Sequence, residues 1–285
     1  MPPIELSPLG TAAAVGALIL CAAAMPGHAA QGAAPAAATK SLSAGSATVT
    51  ATAPANGSSN GTSPAPPLRA HAIVYRASFK GLGAGSLELT LRPDVVPGAW
   101  IYETRAKPSF LASFVINPQS REHSSFSLDA AGRVAPQRYL LDDGTPGHKD
   151  DIELAYDRAR SRVTGRVRGT AVDLPLEPGT QDAMSIRIAV PVDLLADREP
   201  AEYPMIDGNE LKHFRYHRVG TERIRTTLGE LDTVIYTSER KGAGPRDRTW
   251  RYWYAPALNW LPVRIEQRED GKTRFEFEVH SLKWL

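Results

Sequence analysis

The chain has 285 residues with 33 Lys and Arg against 31 Asp and Glu, and a net charge of +2. The two signs alternate along the later part of the chain instead of gathering into a basic stripe, which argues against a nucleic-acid partner. Every Trp, Tyr and Phe lies beyond residue 69 and the one cysteine, Cys21, lies before it, so only residues 70–285 can build a core and that core has no disulfide.

The first element is an apolar run, TAAAVGALILCAAAM, from Thr11 to Met25, followed by Pro26, Gly27, His28 and Ala29. It is shorter than the ~20 apolar residues of a spanning helix and ends in a helix breaker and small residues. We therefore expect a signal peptide over 1–29, cleaved after Ala29, and a periplasmic protein. The start MPPIELSPLG has no Lys or Arg, so an uncleaved anchor in the inner membrane, facing the periplasm, is the alternative. Acylation of Cys21 is disfavoured because Leu20 stands where a small residue is required. Residues 30–69 are nearly all Ala, Ser, Thr, Gly and Pro. They read as a disordered linker, because such a composition buries too little apolar surface to offset ordering.

From His71 onward the residues alternate with period two. Ile73, Tyr75, Ala77 and Phe79 oppose Arg76, Ser78 and Lys80, and after the turn GLGAG, Leu87, Leu89 and Leu91 oppose Glu88, Thr90 and Arg92. Further strands are predicted over 100–107, 121–128, 137–142, 152–156 and 163–176, separated by AAGR, DDGTPG and DRARS. Longer ones follow over 211–226, 231–240, 248–254, 262–268 and 273–284. Two helices are predicted. One runs over Pro108 to Ile116, with Phe110, Leu111, Phe114 and Val115 on one side; the other runs over Asp182 to Ala196, with Asp182 as its N-cap, a stripe of Met184, Ile188 and Leu195, and a kink or stop at Pro191. The fold class is mainly β: a curved antiparallel sheet or open barrel with one or two short helices covering its concave face, in one domain over 70–285.

Several motifs carry a chemical reading and a simpler one. His213 and His217 form an HxxxH pair, but in a strand four residues span ~13 Å, so a solvated strand face is expected instead of a metal site. Asp142, Asp143, Asp150 and Asp151 flank GTPGHK; their spacing is not that of a calcium loop, and a charged hairpin turn is expected. Ser185 lacks a nucleophile elbow and reads as a local hydrogen-bonding residue. GLGAGS at 81–86 lies between strands and reads as a turn, not a phosphate loop. No catalytic residue, metal or cofactor is predicted. Trp250, Tyr252, Trp253, Tyr254 and Trp260 are the strongest non-random cluster, either as core packing or as the wall of a cleft.

The opening YRASFKGLGAGSLELTL, the helix start QDAMSIRIAV, the segment HFRYHRVGTERIRTTLGELDTVIYTSER and the closing WRYWYAPALNWLPVRIEQREDGKTRFEFEV together resemble the domain-of-unknown-function 3108 family of bacterial exported proteins. The resemblance implies export and a mostly β architecture, and it implies no activity.

The expected function is a non-enzymatic periplasmic binding or carrier factor for an apolar, lipid-like small molecule. The ligand is expected between the concave sheet and the helices, against Phe110, Phe114, Met184, Ile188, Trp250, Tyr252 and Tyr254, in a cavity of several hundred Å3. The alternative is a structural or partner-binding envelope protein with a solid core; a hydrolase ranks third. Membrane contact is expected only through an uncleaved N-terminal segment.

Overall fold

The computed structural model describes residues 68–114, 116–243 and 248–285. The signal peptide expected over 1–29 lies outside the described residues, as does all of the expected linker before Leu68. Among the described residues there are fourteen strands and one α-helix. The strands are β1 (His71–Phe79), β2 (Leu82–Pro93), β3 (Ala99–Pro108), β4 (Arg121–Leu128), β5 (Val134–Asp142), β6 (Ile152–Asp157), β7 (Arg162–Val167) and β8 (Thr170–Pro175). The helix α1 (Ile186–Leu195) comes next, and then β9 (Glu202–Asp207), β10 (Glu210–Thr226), β11 (Gly229–Arg240), β12 (Thr249–Ala255), β13 (Leu261–Glu269) and β14 (Lys272–Trp284).

All fourteen strands form one sheet in the order β8-β7-β6-β5-β4-β3-β2-β1-β14-β13-β12-β11-β10-β9. Two hairpin meanders, β1 to β8 and β9 to β14, are zipped together where the first strand pairs with the last, from His71↔Trp284 to Phe79↔Phe275. So long a sheet, apolar on one face, must curl to bury that face. It curls until β8 comes into contact with β10, yet β8 and β9 share no ladder. The gap is filled by the segment after β8. Gln181 N–H donates to Pro204 O at 2.9 Å and Ile206 N–H donates to Gln181 O at 3.0 Å, while the Gln181 side-chain amide reaches Val134 O at 3.0 Å.

The interior is built from alternate strand positions, among them the expected Ile73, Tyr75 and Leu89 together with Phe126, Val263 and Phe277, all buried. Helix α1, IRIAVPVDLL, has seven buried residues among its ten. A helix apolar around most of its circumference needs neighbours on several sides, and the curled sheet supplies them. The helix is a plug inside the concavity, not a lid across its rim. The helix begins at Ile186, with Ser185 at its N-cap and no side-chain cap bond, not at Asp182 as expected, and it continues past Pro191 to Leu195; Asp182 instead holds the turn that leads into it, accepting from Met184 and Ser185 N–H.

Three predicted elements are corrected. The helix expected over Pro108 to Ile116 does not form. β3 is still paired with β2 at Gly85↔Pro108, and the chain beyond it makes only a single 3-10 turn, Ala112–Phe114. Nine residues are too few to nucleate a helix against that ladder; the Ser109 hydroxyl accepts from Ala112 N–H at 3.4 Å and caps only the 3-10 turn. The strand expected over 163–176 is a hairpin, β7 and β8, because Arg168 and Gly169 both adopt positive φ (50° and 76°) and reverse the chain. Finally, β9 was not anticipated, because Pro204 and flanking carboxylates mask its alternation.

Candidate functional site

The residues that face the interior between β12 and α1 carry an unusual density of phenols. Alternation on β12 turns Trp250, Tyr252 and Tyr254 to the same inner side, where successive ring centroids lie 6.4 and 5.7 Å apart with interplanar angles of 24° and 20°. Tyr216 from β10 stacks on Tyr252 at 6.0 Å, and Tyr203 from β9 meets Tyr216 edge-on at 5.3 Å. The Ser238 hydroxyl hydrogen-bonds with both Tyr216 and Tyr252. Across the interior, the Tyr75 hydroxyl donates to Pro262 O at 2.6 Å.

Between these rings and the start of α1 lies a cavity of about 50 Å3, lined by Tyr75, Tyr102, Arg187, Tyr216, Tyr252 and Tyr254 among others. At roughly 10–15 Å3 for each water, it has room for a few waters. It is far smaller than the several hundred Å3 expected of a preformed lipid site.

One cation enters this aromatic space. The Arg187 guanidinium acts to lower the pKa of Tyr75, Tyr102 and Tyr252, opposing a larger effect of burial that raises them. Tyr102 is nevertheless pushed up to about 12 by burial. Glu122, buried on β4, accepts the Tyr139 hydroxyl at 2.7 Å and also acts on Tyr102. A polar seam therefore runs from Glu122 past Tyr102 to Arg187 through an otherwise apolar interior.

Burial also pushes Tyr216 and Tyr254 well above the ordinary phenol value. In the unfolded chain these phenols ionise near pH 10. Their contribution to stability is therefore intact below that pH and is lost as pH rises above it, because the unfolded state then releases protons that the folded state keeps. Absorbance at 295 nm is expected to rise only together with unfolding. Early ionisation with the fold intact would show that these rings are wet.

The predicted ligand residues do not form one site. Trp250, Tyr252 and Tyr254 line the cavity. Met184 and Ile188 are fully buried in the core, and the cavity is lined instead by their neighbours Ala183, Ile186 and Arg187. Phe110 is 79% exposed and stands outside the cavity, because the helix meant to turn it inward does not form. Phe114 closes the 3-10 turn, and its side chain lies outside the described residues. Tyr75 was expected on the buried face but not as a site residue, and Arg187 and Tyr216 were not singled out, although a lone Arg in the apolar stretch DAMSIRIAV was the available signal.

The other motifs have structural partners. The Ser185 hydroxyl accepts from Asp182 N–H at 2.9 Å and is buried at the turn into α1. His213 lies between Glu202 and Glu177, at 3.0 and 3.4 Å, whereas His217 faces Glu239 at 3.8 Å, so the two imidazoles serve different carboxylates. Potential ligand atoms of Asp142, Asp143, His148 and Asp151 lie within 4.8 Å of one another. Here Asp143 accepts from Thr145 N–H and Asp150 N–H, at 2.7 and 3.0 Å, and Asp151 accepts from Asp143 N–H at 2.9 Å. These carboxylates tie the β5–β6 loop to itself. Among the described residues no helix is long and apolar enough to cross a membrane.

Comparison with curated proteins finds no match. Among solved structures, the chain is similar to a β-barrel-like protein of domain of unknown function DUF1849 from Brucella abortus, at 11% identity and a TM-score of 0.46, covering 76% of this chain and 98% of that one. It is also similar to a lipoprotein of Parabacteroides distasonis, at 13% identity and a TM-score of 0.33, covering 76% and 97%. A third similar structure is an exported protein with a YmcC-like fold from Bacteroides fragilis, at 12% identity and a TM-score of 0.31, covering 76% and 97%. The family described as protein of unknown function DUF3108 matches residues 74–278, from within β1 to within β14, and the chain belongs to that family.

Proposed function

We propose that this is a non-enzymatic binding factor of the bacterial envelope that works through its outer surface, reached by export on the apolar run at Thr11 to Met25. The observation that carries this reading is the plugged interior: α1 is buried on seven of its ten residues, and the cavity between its start and the stacked rings holds about 50 Å3, well below the ~300 Å3 at which ligand pockets begin. An enzyme is disfavoured on the same ground, since the buried carboxyls Glu122 and Asp182 sit in the packed interior and the half-buried Arg187 lines the small cavity, instead of all three converging on an open cleft.

A second reading, a carrier for an apolar ligand with an anionic end, is favoured by the stacked rings of β12 and by Arg187 beside them. It requires α1 to withdraw from the concavity and expose its seven buried residues. Native mass spectrometry of protein purified from the periplasm separates the two. We expect the mass of the polypeptide alone; a co-purified lipid would overturn the surface reading in favour of the carrier.

A further inference from the structure

Eight large apolar side chains are exposed among the described residues, and four of them gather at one end of the sheet. Leu82 is 72% exposed, Phe110 79%, Leu111 76% and Phe79 40%. Phe79 and Leu82 flank the β1–β2 turn, and Phe110 and Leu111 lie in the β3–β4 connection beside it. The two loops are joined. Ser109 N–H donates to Ala84 O at 3.0 Å, and the Ser109 hydroxyl donates to Gly83 O at 3.3 Å. The connection is itself held in shape, with the Ser113 hydroxyl on Phe110 O at 2.7 Å and Ile116 buried beneath it.

Charge and area say what such a tip fits. Lys80 and Lys107 flank it; neither Lys80 to Leu82 nor Lys107 to Ser120 contains an Asp or Glu, and the one carboxylate paired with Lys107 is Glu88 on β2 at 3.6 Å, which leaves the lysine side chain 71% exposed. A Phe side chain spans roughly 150–250 Å2, so the four present a few hundred Å2 in all. That falls short of the ~800 Å2 that each partner contributes to a stable protein interface. A small, protruding, apolar tip between lysines suits shallow insertion into lipid, with ammonium groups at the headgroups. The acidic β5–β6 loop abuts the far side of the connection, where the Asn117 side-chain amide donates to Gly144 O at 2.8 Å. Insertion is therefore tilted toward the β1–β2 side.

We propose that this end of the domain docks on an anionic lipid surface by inserting Leu82, Phe110 and Leu111, with Lys80 and Lys107 contacting the headgroups. The proposal rests on the reading of the protein as a surface-acting factor, and it adds a membrane contact that does not run through the N-terminal segment. β1 begins at the opposite end of the sheet, near Trp284.

The test uses the full chain with Cys21→Ser and an environment-sensitive fluorophore on Leu111→Cys, or on Val95→Cys in the β2–β3 loop at the opposite end. The expected result is a blue shift at position 111 and none at 95 with phosphatidylglycerol-containing vesicles, weakened by salt and small with pure phosphatidylcholine. In an otherwise unlabelled chain, Phe110→Ser with Leu111→Ser is expected to lower the insertion reported by a fluorophore on Leu82→Cys at least tenfold, with an unchanged melting temperature. Vesicle binding without a shift at 111 would assign the contact to the N-terminal run and overturn the proposal. So would an equal shift with neutral vesicles, or a shift that grows with protein concentration in the absence of lipid, which would indicate a second copy of the chain. A co-purified lipid in the native mass spectrum would overturn the surface reading, while the shift at 111 would still decide the docking tip.

Discussion

Replacing Asp182 by Ala will destabilise the domain by about 4 kcal/mol. The carboxylate is fully buried, with Oδ1 accepting Met184 N–H at 2.8 Å and Ser185 N–H at 2.7 Å and Oδ2 accepting the Ser124 hydroxyl at 2.7 Å. It thus caps the turn into α1 and ties that turn to β4. Removing it strands these donors in the interior, at about 1–3 kcal/mol for each buried group left without a partner, with about 1 kcal/mol for the lost cap.

Asp182→Asn keeps one accepting oxygen and will cost less. Burial raises the Asp182 pKa from 3.8 to about 6, against hydrogen bonds that lower it. The folded state therefore holds a proton up to about pH 6 that the unfolded chain releases near pH 4. A raised carboxyl pKa of this kind makes stability fall as pH rises between the two values, by about 3 kcal/mol in total. Asn mimics the protonated acid and removes that slope. Urea unfolding of wild type and Asp182→Asn from pH 4 to pH 7 should show the variant gaining on the wild type as pH rises. Parallel curves would mean that the carboxyl stays ionised in the folded state.

Gly85→Ala will cost about 3 kcal/mol or more, whereas Gly83→Ala, two residues away, will cost less than about 0.5 kcal/mol. Gly85 has a φ of +120°, and a Cβ placed on it would meet Lys107 O at 2.3 Å and Pro108 Cα at 2.8 Å. Both contacts are backbone, so the β2–β3 pair must open at Gly85↔Pro108. Strain at positive φ and overpacking each contribute about 1–3 kcal/mol. Gly83 has open space where its Cβ would stand. The pair of variants, compared by chemical unfolding, isolates the close approach from any general effect of losing glycine in this turn. Equal costs for the two would show that β3 yields at its end. Because Ser109 N–H bonds Ala84 O next to this point, Gly85→Ala should also loosen the loop that carries Phe110 and Leu111.

Legibility followed the range of the interactions involved. Period-two alternation located most strands, because a strand with one wet face writes its burial directly into neighbouring residues. It placed Ile73, Tyr75, Leu87, Leu89 and Leu91 on the buried face, and all five are buried, while Phe79 at the end of the same stripe is exposed. It overlooked the reversal at Arg168 and Gly169, since GRVRGT continues the alternation through a two-residue turn whose signal is one glycine. The turn at Asp182 that leads into the helix was readable because its bonds are local, although the helix itself begins only at Ile186. The apolar stripe at Phe110 to Val115 misled, because an amphipathic pattern records which residues are greasy and not whether anything covers them.

By itself, the sequence determined the β-rich domain, its antiparallel hairpins, the turn at Asp182 and membership of the family, all of which depend on residues a few positions apart or on the pattern as a whole. Only the tertiary structure decided that β1 pairs with β14, that α1 is buried beneath the sheet beside a cavity of about 50 Å3, and that Phe110 faces outward instead of lining that cavity. These outcomes turn on volume and on pairings between residues some two hundred positions apart, as with His71 and Trp284. Alternation specifies which face is buried, but how much space remains beneath that face depends on how tightly the sheet curls and what fills it.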